Sequence, residues 1–549
     1  MTRSAKLKQS LLIGALTSSF GVFVSKLIGL LYYSPLSSFA GEANMSFYSI
    51  AYTYYDLLLK ISSAGLPFAI ASMVARYYAR EDYKTVLLVK KLGTSLVMTL
   101  SFVVALVFVI FISPIAKQSM GGAAALPSDV ENLKIVFYIL VIAVIFVPFL
   151  SAMRGYYQGL KRLDLYASSQ VLEQFVRVFC ILFFGFLLVK VFSMDGIYAI
   201  YAAMAAAAIG AIVAIIFFIK ETRDDDKHVR ELAEKCENES ALKKDILIEM
   251  LSLGIPYIVI SFLGSASALV NTTFFMSTAA SAGIDGEFAK LSLGILQANC
   301  NKLSSIPQVL TLGFSSGLVP YLTESFEKQD IRKLSKQISQ IIDTVMFILV
   351  PVIFIFIFFA KDIYFIMYGN RNLDLGADLF RVSNLVAFTD TFAPILSSIM
   401  ITLRMRKETI GILGLSFLAK FLSFFPLVTL FGPYGMIYST IICSIVAIVL
   451  YLIVMVKHFD LNLKTNLRRF GKIAISSLIM IVPGAAVRIL ANYLGFEYSS
   501  RIIDIGVMGV CGIVMILVYY LVTVYFKLPQ VIFEIPRPSI KNLLRKFRS

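Results

Sequence analysis

Residues 195–245 read DGIYAIYAAMAAAAIGAIVAIIFFI and then KETRDDDKHVRELAEKCENESALKKD. The first part is almost free of charge and is long enough to cross a bilayer as a helix, which takes about 20 apolar residues. The second part mixes both charge signs with helix-forming residues, which is typical of a solvated linker or a short surface helix. The stretch therefore predicts a membrane-spanning helix followed by a polar linker.

Apolar runs of similar length recur along the whole chain of 549 residues, of which 58% are hydrophobic and 15% are charged. This balance excludes a soluble protein, and the runs are continuous rather than alternating, which excludes a strand-based barrel. We predict an all-α polytopic membrane protein with about fourteen transmembrane helices. The predicted spans are 11–33, 46–72, 92–114, 132–153, 169–189, 195–219, 249–277, 291–322, 341–360, 379–403, 408–430, 434–456, 473–495 and 503–526.

The net charge of +16 is explained by membrane topology rather than by nucleic-acid binding. If the N-terminus is inside, most Lys and Arg residues fall in the inner loops and in the C-terminal tail, as the positive-inside rule requires. Basic inner loops are also attracted to anionic lipid. We expect a multi-pass plasma-membrane protein with both termini in the cytoplasm and no nucleic-acid partner.

The residues that usually form metal sites and disulfides are few. The five Cys have no metal-binding or disulfide spacing, and the two His both lie near the predicted inner face. We therefore expect no metal, no cofactor and no catalytic residues. Trp is absent, so Tyr is expected to supply the interfacial belt, as at Tyr32, Tyr33, Tyr519 and Tyr520.

The two sides of the linker resemble each other. Lys60-Ile61-Ser62-Ser63 in span two is matched by Lys302-Leu303-Ser304-Ser305 in span eight, 242 positions later. A similar shift of 243 positions carries Arg177 in span five onto Lys420 in span eleven. We infer two six-helix lobes related by a pseudo-two-fold axis along the membrane normal, with a binding site at their interface. The predicted parts are an N-terminal lobe, a cytoplasmic linker, a C-terminal lobe, and two further spans with a basic tail, at 1–219, 220–247, 248–457 and 458–549.

Basic residues inside the apolar runs indicate an anionic ligand. A cation near the bilayer centre costs roughly 2.5–3.5 kcal/mol, so such residues face a partner or an interior cavity. These cations are Lys26, Lys60, Arg177, Lys302, Arg381, Lys420 and Arg488. Arg381 and Arg488 lie near the outer ends of their spans and are interpreted as anchors.

Three acidic residues in the spans are candidates for pairing or ion coupling. Asp56 precedes Lys60 by four residues, so the two form either a structural ion pair or part of a cavity. Glu173 precedes Arg177 in the same way, which favours a structural or gating pair. Asp390 lies mid-span and either couples ion movement or is a buried, hydrogen-bonded acid.

One motif carries a family resemblance. Arg154-Gly155-Tyr156-Tyr157-Gln158-Gly159, followed by Ser169-Gln170-Val171-Leu172-Glu173-Gln174-Phe175-Val176-Arg177-Val178, resembles the signature of the polysaccharide-transporter branch of the MOP flippase superfamily. Within it, the match is to the stage V sporulation protein B group, relatives of the lipid II flippases. The resemblance implies export of an undecaprenyl-pyrophosphate-linked sugar by alternating access. It also implies that Lys26, Lys60 and Lys302 line the cavity, and that the last two helices hold the lipid tail.

Other classes of function remain open from the sequence. A multidrug or organic cation antiporter of the same superfamily would need acids in its cavity, where this chain has lysines. A membrane enzyme would need a larger outer domain. A non-transporting cell-wall assembly scaffold would leave the buried lysines unexplained. We expect a monomer in contact with membrane lipids, a lipid-linked substrate and cell-wall synthesis proteins.

Overall fold

The computed structural model describes residues 28–29, 32–63, 65–236, 240–307, 322, 325–326, 328–496, 498 and 500–533. Within these ranges the regular structure is helical, without strands. The helices, numbered in chain order, are α1 Tyr33–Ala40, α2 Met45–Ser63, α3 Leu66–Ala79, α4 Tyr83–Ser119, α5 Pro127–Gly159, α6 Leu163–Phe186, α7 Ile197–Glu221, α8 Arg223–Glu234, α9 Lys243–Ser281, α10 Gly286–Gly294, α11 Ile331–Phe358, α12 Ala360–Tyr368, α13 Leu373–Thr402, α14 Arg406–Phe431, α15 Pro433–Phe459, α16 Leu463–Tyr493, α17 Arg501–Tyr525 and α18 Leu528–Ile532.

The all-α membrane fold predicted from the sequence is confirmed. Among the described residues, 12 helical stretches are long and apolar enough to cross a membrane. They correspond to the predicted spans other than the first and the eighth. Most of span one (11–33) lies outside the described residues, and span eight (291–322) is described continuously only as far as Pro307. The protein is therefore a multi-pass membrane protein.

Span two is divided into α2 and α3 by Gly65. This residue has a φ of +78°, in the left-handed region that glycine occupies without steric cost. A Cβ atom at this position would lie 2.6 Å from the Cβ of Tyr257 in α9. Pro67 follows in the first turn of α3, where its missing N–H removes no helical hydrogen bond. The division places Lys60 in the last turn of α2.

The described residues within Met1–Lys302 and Leu413–Cys443 form one compact unit, and those within Leu303–Ile412 and Ser444–Ser549 form a second. In the first unit, α6 packs on α7, whose buried face is rich in alanine. Small side chains let membrane helices approach closely, so dispersion contacts replace the hydrophobic effect that lipid does not provide. The lobe boundaries predicted from the repeat remain a prediction.

The polar linker contains the surface helix α8, which is docked on the first unit. Lys90 of α4 pairs with Asp226 at 2.5 Å, and Arg162 pairs with Asp225. Burial is limited to the Val229 and Ala233 side of the helix. Ion pairs with α4 and with the turn before α6, together with one apolar edge, therefore hold the linker helix on the first unit.

Candidate functional site

A largely buried ion triad joins α5 and α6 in the first unit. The Glu173 carboxylate accepts from Arg177 at 2.8 Å and from Arg154 at 2.9 Å. Arg154 also donates to the Ser169 hydroxyl at 2.9 Å, and Arg154 and Glu173 are buried. Because two guanidinium groups share one carboxylate, the triad carries a net charge of +1.

The sequence spacing identified the Glu173–Arg177 pair but not Arg154. A four-residue spacing places two side chains on one helix face. Arg154 lies on the preceding helix and reaches Glu173 only through the packing of α5 near α6. In the sequence, the signal for this contact is that Arg154 lies at the end of the helix that precedes the predicted Glu173–Arg177 pair.

The other residues of the RGYYQG motif have structural roles around this triad. A Cβ atom on Gly155 would overlap the Pro67 carbonyl oxygen, and one on Gly159 would lie 2.7 Å from that of Ala71. The two glycines therefore let α5 touch the backbone of α3. Gln158 is exposed, and Gln170 donates to the Tyr166 hydroxyl at 3.2 Å.

The two motif tyrosines connect α5 to the linker. Tyr156 and Tyr157 are buried, and the Tyr157 hydroxyl donates to Asp226 at 2.7 Å. The ammonium of Lys90 lies 4.6 Å from the Tyr156 ring centroid and 5.3 Å from that of Tyr157. The motif thus joins the buried triad at one end to the docked linker helix α8 at the other.

Lys302 lies on an aromatic surface. Its ammonium is 4.6 Å from the ring centroid of Tyr33 and 5.4 Å from that of Tyr32. It follows a π-helical turn, Ile295–Cys300, and such turns are frequent at functional sites because they re-aim the side chains after them. The charge of Arg177 also acts on Lys302.

Tyr32 and Tyr33 belong to a tyrosine cluster made of Tyr32, Tyr33, Tyr48, Tyr52 and Tyr55. The hydroxyls of Tyr32 and Tyr48 are 2.7 Å apart, the rings of Tyr33 and Tyr48 meet edge to face, and Tyr52 continues the row. Tyr32 and Tyr33 are 3% and 5% exposed, so their assignment to an interfacial belt was wrong. Helix packing turned these rings inward, which a dipeptide at the end of an apolar run does not reveal.

Lys60 has different surroundings from Lys302. Its ammonium donates to Asp56 at 2.6 Å and to Ser265 of α9 at 2.7 Å. The Lys60 and Asp56 side chains are 38% and 46% exposed. The pair is thus accessible and locally neutral. A shared site for Lys60 and Lys302 remains a prediction, and Lys26 lies outside the described residues.

Lys420, which the predicted repeat pairs with Arg177, is fully buried. It donates to Asn271 at 2.6 Å and to Ser439 and Thr440 at 2.8 Å each. The Phe424 ring lies below the ammonium, at 5.2 Å from its centroid. An amide and two hydroxyl oxygens therefore provide solvation that water would otherwise supply.

Asp390 lies in the second unit and accepts a hydrogen bond from Ser444 at 3.0 Å. It is exposed at the helix surface rather than enclosed. A role in ion coupling remains a prediction. Within the described ranges, no group of three or more His, Cys, Asp or Glu side chains could hold a metal ion.

Arg488 is not a surface anchor, as the sequence had suggested. It is buried between Asp362 at 2.7 Å and Asp504 at 2.8 Å, under the Tyr498 ring. Burial raises the pKa of the Asp362 carboxyl above its usual value, and the Arg488 guanidinium opposes that rise. Arg381, by contrast, forms an exposed pair with Asp378 at 2.6 Å.

A further largely buried ion pair, between Lys290 and Asp129, has no spacing signal in the sequence. Lys290 lies just before predicted span eight, contacts Asp129 at 2.8 Å and lies 4.7 Å from the Phe47 ring centroid. Asp129 is in the first turn of α5, where a negative charge is favourable. This pair ties α10 to α5 and α2 within the first unit.

Comparison with known proteins agrees with this arrangement of helices. The family model described as polysaccharide biosynthesis protein matches residues 11–326. The lipid II flippase MurJ of Bacillus subtilis (strain 168) is 26% identical over 501 residues, covering 90% of this chain and 91% of that protein. Stage V sporulation protein B of the same organism is 24% identical over 390 residues, covering 68% and 69%.

A solved structure of the lipid II flippase MurJ, in an inward closed conformation, matches with a TM-score of 0.65. It covers 93% of this chain and 99% of that chain at 17% identity, which shows the fold alone. The sequence match to the family model spans more than half of the chain and includes the RGYYQG motif. This chain belongs to the polysaccharide biosynthesis protein family.

Proposed function

We propose that this protein is a flippase that moves a lipid-linked pyrophosphate sugar to the outer leaflet of the plasma membrane. The substrate would be lipid II or a related cell-wall or polysaccharide precursor. The name of the Bacillus subtilis relative supports this substrate class. The relatives named as flippases also support a transporter rather than an enzyme.

The observation that carries the proposal is the positive charge around the tyrosine cluster. Lys302 lies against Tyr32 and Tyr33, and the charge of Arg177 acts on both Lys302 and Tyr52. The triad contributes +1 and Lys302 another +1, all within apolar helices. A pyrophosphate offers the opposite charge, and aromatic faces with hydroxyl groups suit a sugar.

The proposed driving force is the membrane potential. Because the cytoplasm is electrically negative relative to the outside, the potential favours outward movement of a pyrophosphate. The free energy gained is about 2.3 kcal/mol per negative charge per 100 mV. The sequence contains no P-loop motif, GxxxxGK[ST], for nucleotide hydrolysis. After release, the potential would draw the emptied cationic site back toward the cytoplasm.

The test is transport of lipid II by the purified full-length chain in liposomes. Lipid II reaching the far leaflet is measured with a membrane-impermeant reagent, with and without a potassium diffusion potential. We expect transport to rise when the potential is imposed. Lys302→Gln should lose most of the transport, and Lys302→Glu should lose more because a carboxylate repels the pyrophosphate.

The matched control is Lys117→Gln, which removes an exposed cation at the end of α4. Its transport should equal that of the unmodified chain. Normal transport by well-folded Lys302→Glu would remove this lysine from the mechanism. Equal transport with and without the potential would instead point to an ion gradient acting through Asp390 or Glu173.

A further inference from the structure

A separate cavity in the second unit is lined by charged residues that the proposed transport does not use. Its volume is about 290 Å³, and it lies among the first turns of α11, the start of α16 and the short helix α18. Its charged lining residues are Arg332, Lys336, Asp343 and Arg469. The cavity is close in size to the smaller ligand pockets of proteins, which start at about 300 Å³.

The lining of this cavity has a positive excess. Its three cations face one acid, Asp343, which is 2% exposed. Asp343 accepts from the Arg469 guanidinium and, at 2.7 Å, from Asn466. Among the lining residues, Arg469 pairs with this acid, and the exposed Arg332 and Lys336 are the other two cations of the lining.

A helix terminus adds to this positive potential. Asn462 and Thr465 line the cavity at the N-terminus of α16, and the Asn462 side chain makes no capping hydrogen bond. The first N–H groups of a helix have no intrahelical acceptors and carry a partial positive charge. Phosphate groups bind at such termini for the same reason.

Hydrogen bonds hold the walls of the cavity in place. Gln340 donates to the Ile532 carbonyl oxygen at 2.9 Å, which fixes α18 against α11. Ser339 donates to Asn466 at 2.9 Å, and Asn466 returns a bond to the Ser339 carbonyl oxygen at 3.1 Å. The cavity is thus preformed by contacts between side chains and backbone, and a ligand need not organise it.

We propose that this cavity binds a phosphate group, from either an anionic lipid headgroup or a soluble phosphate compound. Guanidinium and ammonium donors around one space match the acceptor oxygens of a phosphate, and charge-assisted bonds of this kind are strong. The basic stretches 328–336 and 457–472 predict that the cavity faces the cytoplasm, where anionic lipids are abundant. This inference is independent of the proposed transport function.

The test uses the absence of Trp from the sequence. Val531→Trp places a single fluorophore at the cavity, on an exposed lining position. The full-length protein in detergent is titrated with phosphatidylglycerol, with phosphatidylcholine and with inorganic phosphate. If phosphatidylglycerol changes the Trp fluorescence and inorganic phosphate does not reverse this change, the ligand is a lipid headgroup. If inorganic phosphate displaces phosphatidylglycerol, the ligand is a soluble phosphate compound.

The deciding comparison is between two double variants in that background. Arg332→Gln with Lys336→Gln removes the excess charge of the cavity, whereas Lys464→Gln with Arg468→Gln removes two exposed cations at the start of α16 that do not line it. We expect the cavity variant to lose at least about tenfold in affinity and the control to change less than about twofold. Equal losses in the two variants, or equal binding of phosphatidylcholine, would overturn the proposal.

Discussion

Arg177 and Lys420 are largely and fully buried cations in membrane helices, 243 positions apart in the predicted repeat, and they are stabilised in different ways. Arg177 donates to a carboxylate, Glu173, at 2.8 Å and shares it with Arg154. Lys420 donates to the neutral oxygens of Asn271, Ser439 and Thr440. The same shift carries Glu173 onto the buried Ser416, so the predicted repeat pairs the two cations but offers no acid beside Lys420.

The difference shows two ways to keep a cation inside a membrane protein. A carboxylate supplies a full opposite charge, so losing it exposes two guanidinium groups to each other. Neutral dipoles supply partial charges, so losing the cation leaves ordinary polar groups that are cheaper to bury. The two regions should therefore respond to substitution by different amounts.

The largest effect is expected for Glu173→Gln. Arg154 and Arg177 would keep their positive charges in a buried site without the shared carboxylate, and splitting such a buried network costs about 3–5 kcal/mol. The measurement is thermal unfolding of the purified protein in detergent. Glu131→Gln, which removes the acid of an exposed pair with Lys134, is the control and should change little.

A double substitution sharpens this result. Arg154→Gln together with Glu173→Gln removes one charge of each sign and leaves Arg177 alone. If the triad acts as a unit, the double variant should be no less stable than Glu173→Gln, because the added change removes a repelling cation. If the double variant instead loses as much stability as the two single variants together, Arg154 stabilises the protein through contacts other than that with Glu173.

A smaller effect is expected for Lys420→Met. The thioether chain fills part of the space, and the oxygens of Asn271, Ser439 and Thr440 each lose one donor. Leaving buried acceptors unsatisfied costs about 1–3 kcal/mol. Thermal unfolding under the same conditions gives the comparison with Glu173→Gln. A cost as large as that of Glu173→Gln would contradict the view that neutral dipoles suffice at this position.

The smallest effect on stability is expected for Lys60→Gln. Lys60 and Asp56 are both more than one third exposed, and exposed ion pairs contribute about 0–1 kcal/mol. Transport should nevertheless fall if Lys60 contacts the substrate. Lys60→Gln with normal unfolding and reduced transport of lipid II would separate function from folding, whereas a large loss of stability would make Lys60 a structural residue.

The sequence by itself determined the fold class and the local pairs. The length of an apolar run identifies a membrane-spanning helix, because the thickness of the hydrocarbon layer sets the number of helical residues needed to cross the bilayer. A spacing of four residues places Asp56 near Lys60 and Glu173 near Arg177 on one helix, because the helix period requires it. The RGYYQG motif, which lies within the residues matched by the family model, indicates the family without any knowledge of helix packing.

Only the tertiary structure decided which distant residues meet. Arg154 reaches Glu173, Tyr32 and Tyr33 turn toward Lys302, and Arg488 is enclosed by two acids because neighbouring helices pack in particular rotations. An apolar run contains little information about rotation, since lipid and helix interior are similarly apolar and no hydrophobic face distinguishes them. The direction of a polar side chain is therefore set by the few partners that packing brings within hydrogen-bonding distance.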